Sequence, residues 1–152
     1  MSTQGKDEGK DQDKGEASAP HDLTALVARA QQIQSRAWAP YSRFPVGAAV
    51  WGEGQMFVGV NVENASFGLT ICAERAAITA AVTSGVTRLT AVAVCTEATP
   101  PASPCGACRQ VLREFAADPH TFRVVAVNAK GDRREWTLAE LLPDSFSGAE
   151  LP

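Results

Sequence analysis

The stretch LTAVAVCT, from Leu89 to Thr96, restricts the fold of this chain more than any other. It is a continuous apolar run bounded by residues that break regular structure, a pattern typical of a strand buried on both faces. Such a strand needs packed layers on both sides of its sheet. We therefore predict a layered domain with this strand at its centre.

The remaining pattern supplies the other elements of that domain. Apolar residues recur at helical spacing from Leu23 to Ala37 and predict a helix that stops before Pro40. The other predicted elements are a hairpin of strands 46–51 and 56–62, helices near 72–85, 104–117 and 137–143, and a strand at 122–129. A helix, a hairpin and then alternating helices and strands predict an α/β fold.

Length and composition favour one folded domain behind a charged tail. The chain has 152 residues, 45% of them hydrophobic, and a formal net charge of -3. Residues 1–20 have little to bury, which predicts a disordered tail before a domain over 21–152. The absence of a basic stripe argues against a nucleic-acid partner, and no apolar run is long enough for a membrane span. No signal peptide is recognisable, so we expect a cytoplasmic protein.

Two cysteines stand three residues apart in SPCGACRQVL. Ser103 is a good N-cap and Pro104 a good first helical residue, which would place Cys105 and Cys108 on one face of a helix start. The helix dipole favours thiolates there. The spacing fits a redox pair, a metal site or simple packing, but a redox pair is expected after an early strand. The late position of the motif favours a metal.

A zinc site needs at least one more ligand. His21 and His120 lack ligand-like spacing and are interpreted as surface residues. Cys95 lies in the apolar run and is interpreted as a small packed hydrophobe. Cys72 opens a predicted helix, and Glu74 follows two residues later. Three cysteines with an open fourth position are typical of a catalytic zinc rather than a closed structural one.

A ligand and a glutamate on one helix, with a PCxxC motif on another, form the signature of zinc deaminases. In these enzymes the metal activates a water molecule and the glutamate moves protons. Three thiolates around one Zn²⁺ leave a negative centre. We expect Arg75 to hydrogen-bond a ligand sulfur and offset that charge. Arg109 is interpreted equally well as a sulfur partner or as a solvated helix residue.

Four segments resemble, in the same order, the small homotetrameric zinc-dependent cytidine deaminases: YSRFPVGAAV, NVENASFGLTICAERAAI, SPCGACRQVLREF and ELLPDSF. The resemblance covers nearly all of residues 22–147 and includes C-A-E, where other deaminases carry H-x-E. It implies a three-layer α/β/α fold with a five-stranded mixed sheet, one Zn²⁺ per subunit, and a homotetramer with shared active sites. The implied reaction, in pyrimidine salvage, converts cytidine and deoxycytidine to uridine and deoxyuridine with release of ammonia.

The resemblance also implies roles for individual residues. Cys72, Cys105 and Cys108 match the zinc ligands, and Glu74 matches the proton shuttle. The implied substrate contacts are Asn61 and Glu63 to the ribose 3′-hydroxyl, Phe44 against the pyrimidine, the Ala73 backbone N–H to the base carbonyl, and Phe146 in a neighbouring subunit's site. On the sequence alone, Asn61 and Glu63 are equally compatible with capping a strand end.

One departure from the family concerns Phe67. The family often has a tyrosine there, whose hydroxyl reaches the ribose 5′-hydroxyl across a subunit interface, and phenylalanine cannot make that bond.

Three alternatives remain: a related deaminase acting on another aminated nucleoside or a nucleoside antibiotic, an inactive zinc-stabilised assembly domain, and a polynucleotide editor. The Asn61–Glu63 pair argues against the first, Glu74 against the second, and the acidic charge against the third.

Overall fold

The computed structural model describes residues 23–152, so the predicted tail and the predicted domain start at residue 21 lie outside the described residues. A five-stranded mixed sheet with the order β2-β1-β3-β4-β5 forms the centre of the fold. Its strands are β1 (Gly47–Gly52), β2 (Gln55–Val60), β3 (Leu89–Thr96), β4 (Arg123–Asn128) and β5 (Arg133–Thr137). The α-helices are α1 (Thr24–Gln34), α2 (Ala73–Thr83), α3 (Gly106–Phe115) and α4 (Leu138–Leu141).

Strand β3 is buried along its whole length, as its apolar run predicts. It pairs antiparallel with β1 and parallel with β4. Val92 and Val94 face the core formed with α2, α3 and α4. Ala91, Ala93 and Cys95 face a second core that contains the buried side of α1. The two cores on opposite faces of one sheet confirm the predicted layered α/β/α fold.

Helix α2, which carries Cys72 and Glu74 at its start, lies unusually close to strand β2. The contact depends on Gly59, where an added Cβ would lie 2.4 Å from the Ala77 amide nitrogen and 2.5 Å from the Ala73 carbonyl oxygen. These are backbone atoms and cannot move aside cheaply. The close approach therefore fixes the height of the helix start above the sheet.

The variant Gly59→Ala is expected to lower the free energy of unfolding by about 1–3 kcal/mol, because overpacking forces the backbone apart. Urea unfolding followed by circular dichroism measures this change. Gly148→Ala is the matched control, since a Cβ at Gly148 would meet nothing within 4 Å. Equal stability of the two variants would contradict the account of this contact.

The sequence pattern differs from the structure at several helix ends and at one strand. Helix α1 ends at Gln34, before the stop predicted at Pro40. The N-cap of α3 is Cys105 rather than Ser103, and the helix starts at Gly106. The Ser103 hydroxyl instead accepts a hydrogen bond from Arg109 at 2.9 Å. Strand β5 is absent from the pattern-based prediction, although the resemblance implied five strands.

Candidate metal centre and substrate cleft

Three cysteine side chains meet where the starts of two helices converge. Cys72 is the N-cap of α2, Cys105 is the N-cap of α3, and Cys108 lies in the first turn of α3. All three Sγ atoms lie within 4.8 Å of one another, and the Cys72 and Cys105 sulfurs are 4.0 Å apart. Within residues 23–152 this is the one group of three or more metal-ligating side chains so closely placed. Both helix dipoles favour negative charge at this point.

The geometry of the cluster suits zinc. Thiolates are preferred Zn²⁺ ligands at about 2.3 Å, and tetrahedral coordination at that distance separates neighbouring sulfurs by about 3.8 Å. Three cysteines leave one coordination position for a non-protein ligand. Cys95 is outside this cluster. Its buried thiol donates to the Gln34 side-chain oxygen at 3.2 Å, on the face of the sheet covered by α1.

Hydrogen bonding shifts the acidity of the cysteines in opposite directions. The hydrogen bond with Cys108, assisted by Arg75, lowers the pKa of the Cys72 thiol to about 5. The neighbouring Cys72 thiolate and burial raise the pKa of Cys108, because both favour the protonated thiol. The cluster therefore favours the thiolate form of Cys72, which is the form of cysteine that binds a metal cation.

Arg75 lies where the sequence predicts a partner for a ligand sulfur. Its Nη2 donates to the Thr70 carbonyl at 3.0 Å and lies 3.5 Å from the Cys72 sulfur. Its Nε is buried without a hydrogen-bond partner among the described residues. A positive group with a spare donor thus stands beside a centre that becomes negative when three thiolates bind zinc.

Glu74 is buried in the first turn of α2, with a relative exposure of 5%. Burial is the main cause that raises the pKa of its carboxyl group. A carboxyl group with a raised pKa exchanges protons more readily near neutral pH than an ordinary glutamate does. Glu74 and Cys72 both line one cleft of the protein surface.

The cleft in front of the cysteines has a volume of about 420 Å³, within the range of small-molecule sites. Its walls include most of the residues that the resemblance implied for substrate contacts, namely Phe44, Asn61, Glu63 and Ala73. Ala73 is the first residue of α2, so its N–H lacks an acceptor within the helix. Phe146 is not part of this wall. It is exposed at 58%, and its carbonyl accepts from Gln110 at 3.0 Å.

Asn61 and Glu63 hold the loop that carries Phe44. The Asn61 side chain donates to the Phe44 carbonyl at 2.9 Å and accepts from the Val46 amide at 2.8 Å. The Glu63 carboxylate accepts from the backbone of Tyr41 at 2.8 Å and from the Ser42 hydroxyl. The Ser42 hydrogen bond is the main cause that holds the pKa of Glu63 below its usual value. Both residues therefore have a structural role in the loop and also line the cleft.

Sequence reasoning assigned no role to Ser42 or Thr70, although both line the cleft. The Ser42 hydroxyl accepts from the Phe44 amide at 3.0 Å while it donates to Glu63. Its place within YSRF was the available signal. Beside the cleft, Phe67 is exposed at 73% and packs edge-on against Tyr41, with ring centroids 5.7 Å apart.

Arg109 contacts no ligand sulfur and is not a free surface residue. Its guanidinium donates to the Pro104 carbonyl at 2.7 Å, the Ser103 hydroxyl at 2.9 Å and the Leu141 carbonyl at 3.0 Å. Neither interpretation offered by the sequence describes this arrangement. His120 is exposed, as predicted.

None of the helices described between residues 23 and 152 has the length and apolar character needed to cross a membrane.

Comparisons with known proteins agree with the geometry. The profile of the family "Cytidine and deoxycytidylate deaminase zinc-binding region" matches residues 20–127. A cytidine deaminase of Sporosarcina psychrophila is 44% identical over 131 residues, which span 86% of this chain and 95% of the relative. A cytidine deaminase of Mycobacterium tuberculosis is 40% identical over 132 residues, covering 86% of this chain and 94% of the relative.

Solved structures show the same likeness. The crystal structure of a cytidine deaminase from Burkholderia pseudomallei has a TM-score of 0.75 and 46% sequence identity, and it covers 80% of this chain and 97% of its own. With a three-cysteine cluster of which two members line a cleft, the chain belongs to the zinc-dependent cytidine and deoxycytidylate deaminase family.

Proposed function

We propose that this chain hydrolyses cytidine and deoxycytidine to uridine and deoxyuridine, with release of ammonia, in pyrimidine salvage. The observation that carries the proposal is a buried glutamate beside a three-cysteine cluster, in a cleft large enough for a nucleoside. The relatives named cytidine deaminase support the choice of substrate.

Cys72, Cys105 and Cys108 would hold one Zn²⁺ per subunit, and Arg75 would offset the excess negative charge. When bound, zinc supplies a Lewis acid that lowers the pKa of a water molecule. Cys72 and Cys105 both line the cleft, so a zinc ion held by the three sulfurs would be accessible to a molecule bound there.

Glu74 moves the protons of the reaction. It takes one proton as the water oxygen bonds to C4 of the pyrimidine and places that proton on N3. It takes the second proton of the water oxygen and gives it to the departing 4-amino group, as the C4–N4 bond breaks. The sum is cytidine plus water to uridine plus ammonia, with the carboxylate restored.

The cleft orients the nucleoside through four contacts. Phe44 packs on the base, and the unpaired Ala73 N–H donates to the base carbonyl. Asn61 and Glu63 each keep hydrogen-bonding capacity beyond the loop contacts and bind the ribose 3′-hydroxyl. A site of this kind rejects analogues that leave its buried polar groups unpaired.

Loss of cytidine absorbance with purified, zinc-loaded protein tests the function. We expect turnover of cytidine and deoxycytidine, accompanied by ammonia release. A parallel assay with aminated nucleoside antibiotics tests the alternative of a related deaminase with another substrate, which predicts turnover of the antibiotic alone. Zinc binding without turnover of any nucleoside would favour the inactive assembly domain.

We further propose a cytoplasmic homotetramer with shared active sites and no nucleic-acid or membrane partner. Residues 21–152 form the catalytic domain in this proposal. A self-association surface is supported by large apolar side chains that are exposed to solvent, namely Trp38, Tyr41, Phe67, Leu69 and Ile71. Single subunits rarely leave such a group of side chains in water.

A chain truncated before Ser145 is expected to have a higher KM for cytidine and an unchanged zinc content. Phe146 does not line the cleft of its own subunit, so its proposed contact is with a neighbour's base pocket. Steady-state kinetics and metal analysis of the truncated protein measure both quantities. A truncated protein with wild-type KM would remove Phe146 from the substrate site.

Mixing the truncated chain with Glu74→Gln subunits gives a sharper test of sharing. Some mixed oligomers pair an intact Glu74 with a neighbour's intact Phe146, so part of the lost affinity should return. Subunit exchange is verified by native mass spectrometry. If exchanged samples behave as the plain average of their parents, the sites are not shared.

A further inference from the structure

Arg109 lies between two parts of the molecule that are distant in sequence. One part is the zinc-binding loop, residues 102–105, which ends at Cys105 and lines the cleft. The other is the C-terminal segment, residues 141–147, which begins at the last residue of α4 and carries Phe146. The Arg109 guanidinium donates to Ser103 and Pro104 on one side and to Leu141, the last residue of α4, on the other.

Neighbouring residues of α3 extend the contact along the C-terminal segment. Gln110 donates to the Phe146 carbonyl at 3.0 Å, and Arg113 Nε donates to the Ser145 hydroxyl at 3.0 Å. Arg109 and Arg113 are one helical turn apart and therefore share a face of α3. Of these two arginines, only Arg109 donates hydrogen bonds to both the zinc-binding loop and the C-terminal segment.

The planar guanidinium makes this link selective. Three hydrogen bonds at fixed angles hold the Ser103 and Pro104 groups in one position relative to the Leu141 carbonyl, and an ammonium group cannot reproduce that fork. A displaced Cys105 would pull Pro104 away from the guanidinium. The freed guanidinium would in turn release Leu141 and the start of the C-terminal segment.

We propose that Arg109 is a positioning residue that couples zinc occupancy at Cys105 to the placement of Phe146. The inference rests on the proposed zinc site but not on turnover. Support for metal ligands of this kind typically changes metal affinity by about 10–100-fold. The same coupling would let the metal state of one subunit affect the base pocket of its neighbour.

Zinc release to a chromogenic chelator measures the first half of the coupling in the full-length protein. Arg109→Ala should release zinc about tenfold faster than the wild type. Arg113→Ala is the matched control and should release zinc at the wild-type rate, because the hydrogen bond of Arg113 is to Ser145 and not to the zinc-binding loop. Arg109→Lys should also release zinc faster than the wild type, and it serves if the alanine variant does not fold. Wild-type release from Arg109→Lys, or equal release from Arg109→Ala and Arg113→Ala, would overturn the proposal.

Cleavage by chymotrypsin after Phe146 measures the second half. Removal of zinc should accelerate this cleavage severalfold in the wild type, whereas Arg109→Ala should be cleaved fast with or without zinc. Cleavage after the buried Phe122 reports global unfolding on the same samples. A wild-type cleavage rate that does not depend on zinc would overturn the coupling. Zinc content and cytidine turnover of the same wild-type samples show separately whether the proposed function holds.

Discussion

Replacement of Glu74 by glutamine is expected to reduce kcat for cytidine by about 10²–10⁴-fold, the range that general acid–base catalysis contributes. The amide keeps the shape of the side chain but can neither accept the proton of water nor return it to N3 and the amino group. The first turn of α2 and the cysteine cluster should remain intact, so zinc content should stay at one ion per subunit. Steady-state kinetics on metal-loaded protein, with metal analysis of the same sample, make the measurement.

Glu114→Gln is a suitable control for this change, because Glu114 is an exposed residue of α3. It should turn over cytidine at the wild-type rate. A fully metal-loaded Glu74→Gln protein with wild-type kcat would remove Glu74 from the mechanism. The burial that raises the pKa of Glu74 also means that a charged replacement is costly there, which makes the amide the appropriate substitution.

The parts of the fold that sequence alone predicted are those set by local patterns. Strand β3 is apolar at nearly every position because both of its faces are covered, so its bounds follow directly from the run. Strand β5 was missed because it is an exposed edge strand. Its Arg133 and Glu135 side chains pair with each other on the surface, and Arg134 lies over the Trp136 ring. Such a sequence lacks the apolar alternation that marks a strand.

The candidate site likewise has parts that local sequence patterns predict and parts that they do not. Cys72, Cys105 and Cys108 predict zinc chemistry from the sequence because they lie at helix starts, which short motifs predict. The partners of Arg109 do not follow from any local pattern, since Leu141 is 32 residues away and contributes only a backbone carbonyl. Ser103 is a good N-cap by residue type, but its hydroxyl accepts a hydrogen bond from Arg109 instead of capping α3. Tertiary hydrogen bonding here overrides a local preference.

Removal of Cys105 and removal of Cys95 should have different effects on the zinc content of the protein. Cys105→Ala is expected to lose most of the zinc, because a ligand itself is removed. Its zinc affinity should fall by more than the roughly 10–100-fold that the loss of a supporting residue causes. Cys95→Ala should keep a full complement of zinc. It should lose only a buried thiol contact with Gln34, of about 0.5–1.5 kcal/mol in the free energy of unfolding.

Metal analysis of both variants after dialysis, together with urea unfolding, tests this difference. The comparison is informative because the two cysteines lie on different sides of the fold. Cys105 stands at a helix start with two other sulfurs close by, and Cys95 faces the core on the α1 side of the sheet. A general loss of structure would also release zinc from both variants, and urea unfolding detects it. Equal zinc loss from two folded variants would contradict the assignment of the ligands. Zinc loss confined to Cys105→Ala, with both proteins folded, would place the metal at the cleft that Cys105 and Glu74 both line.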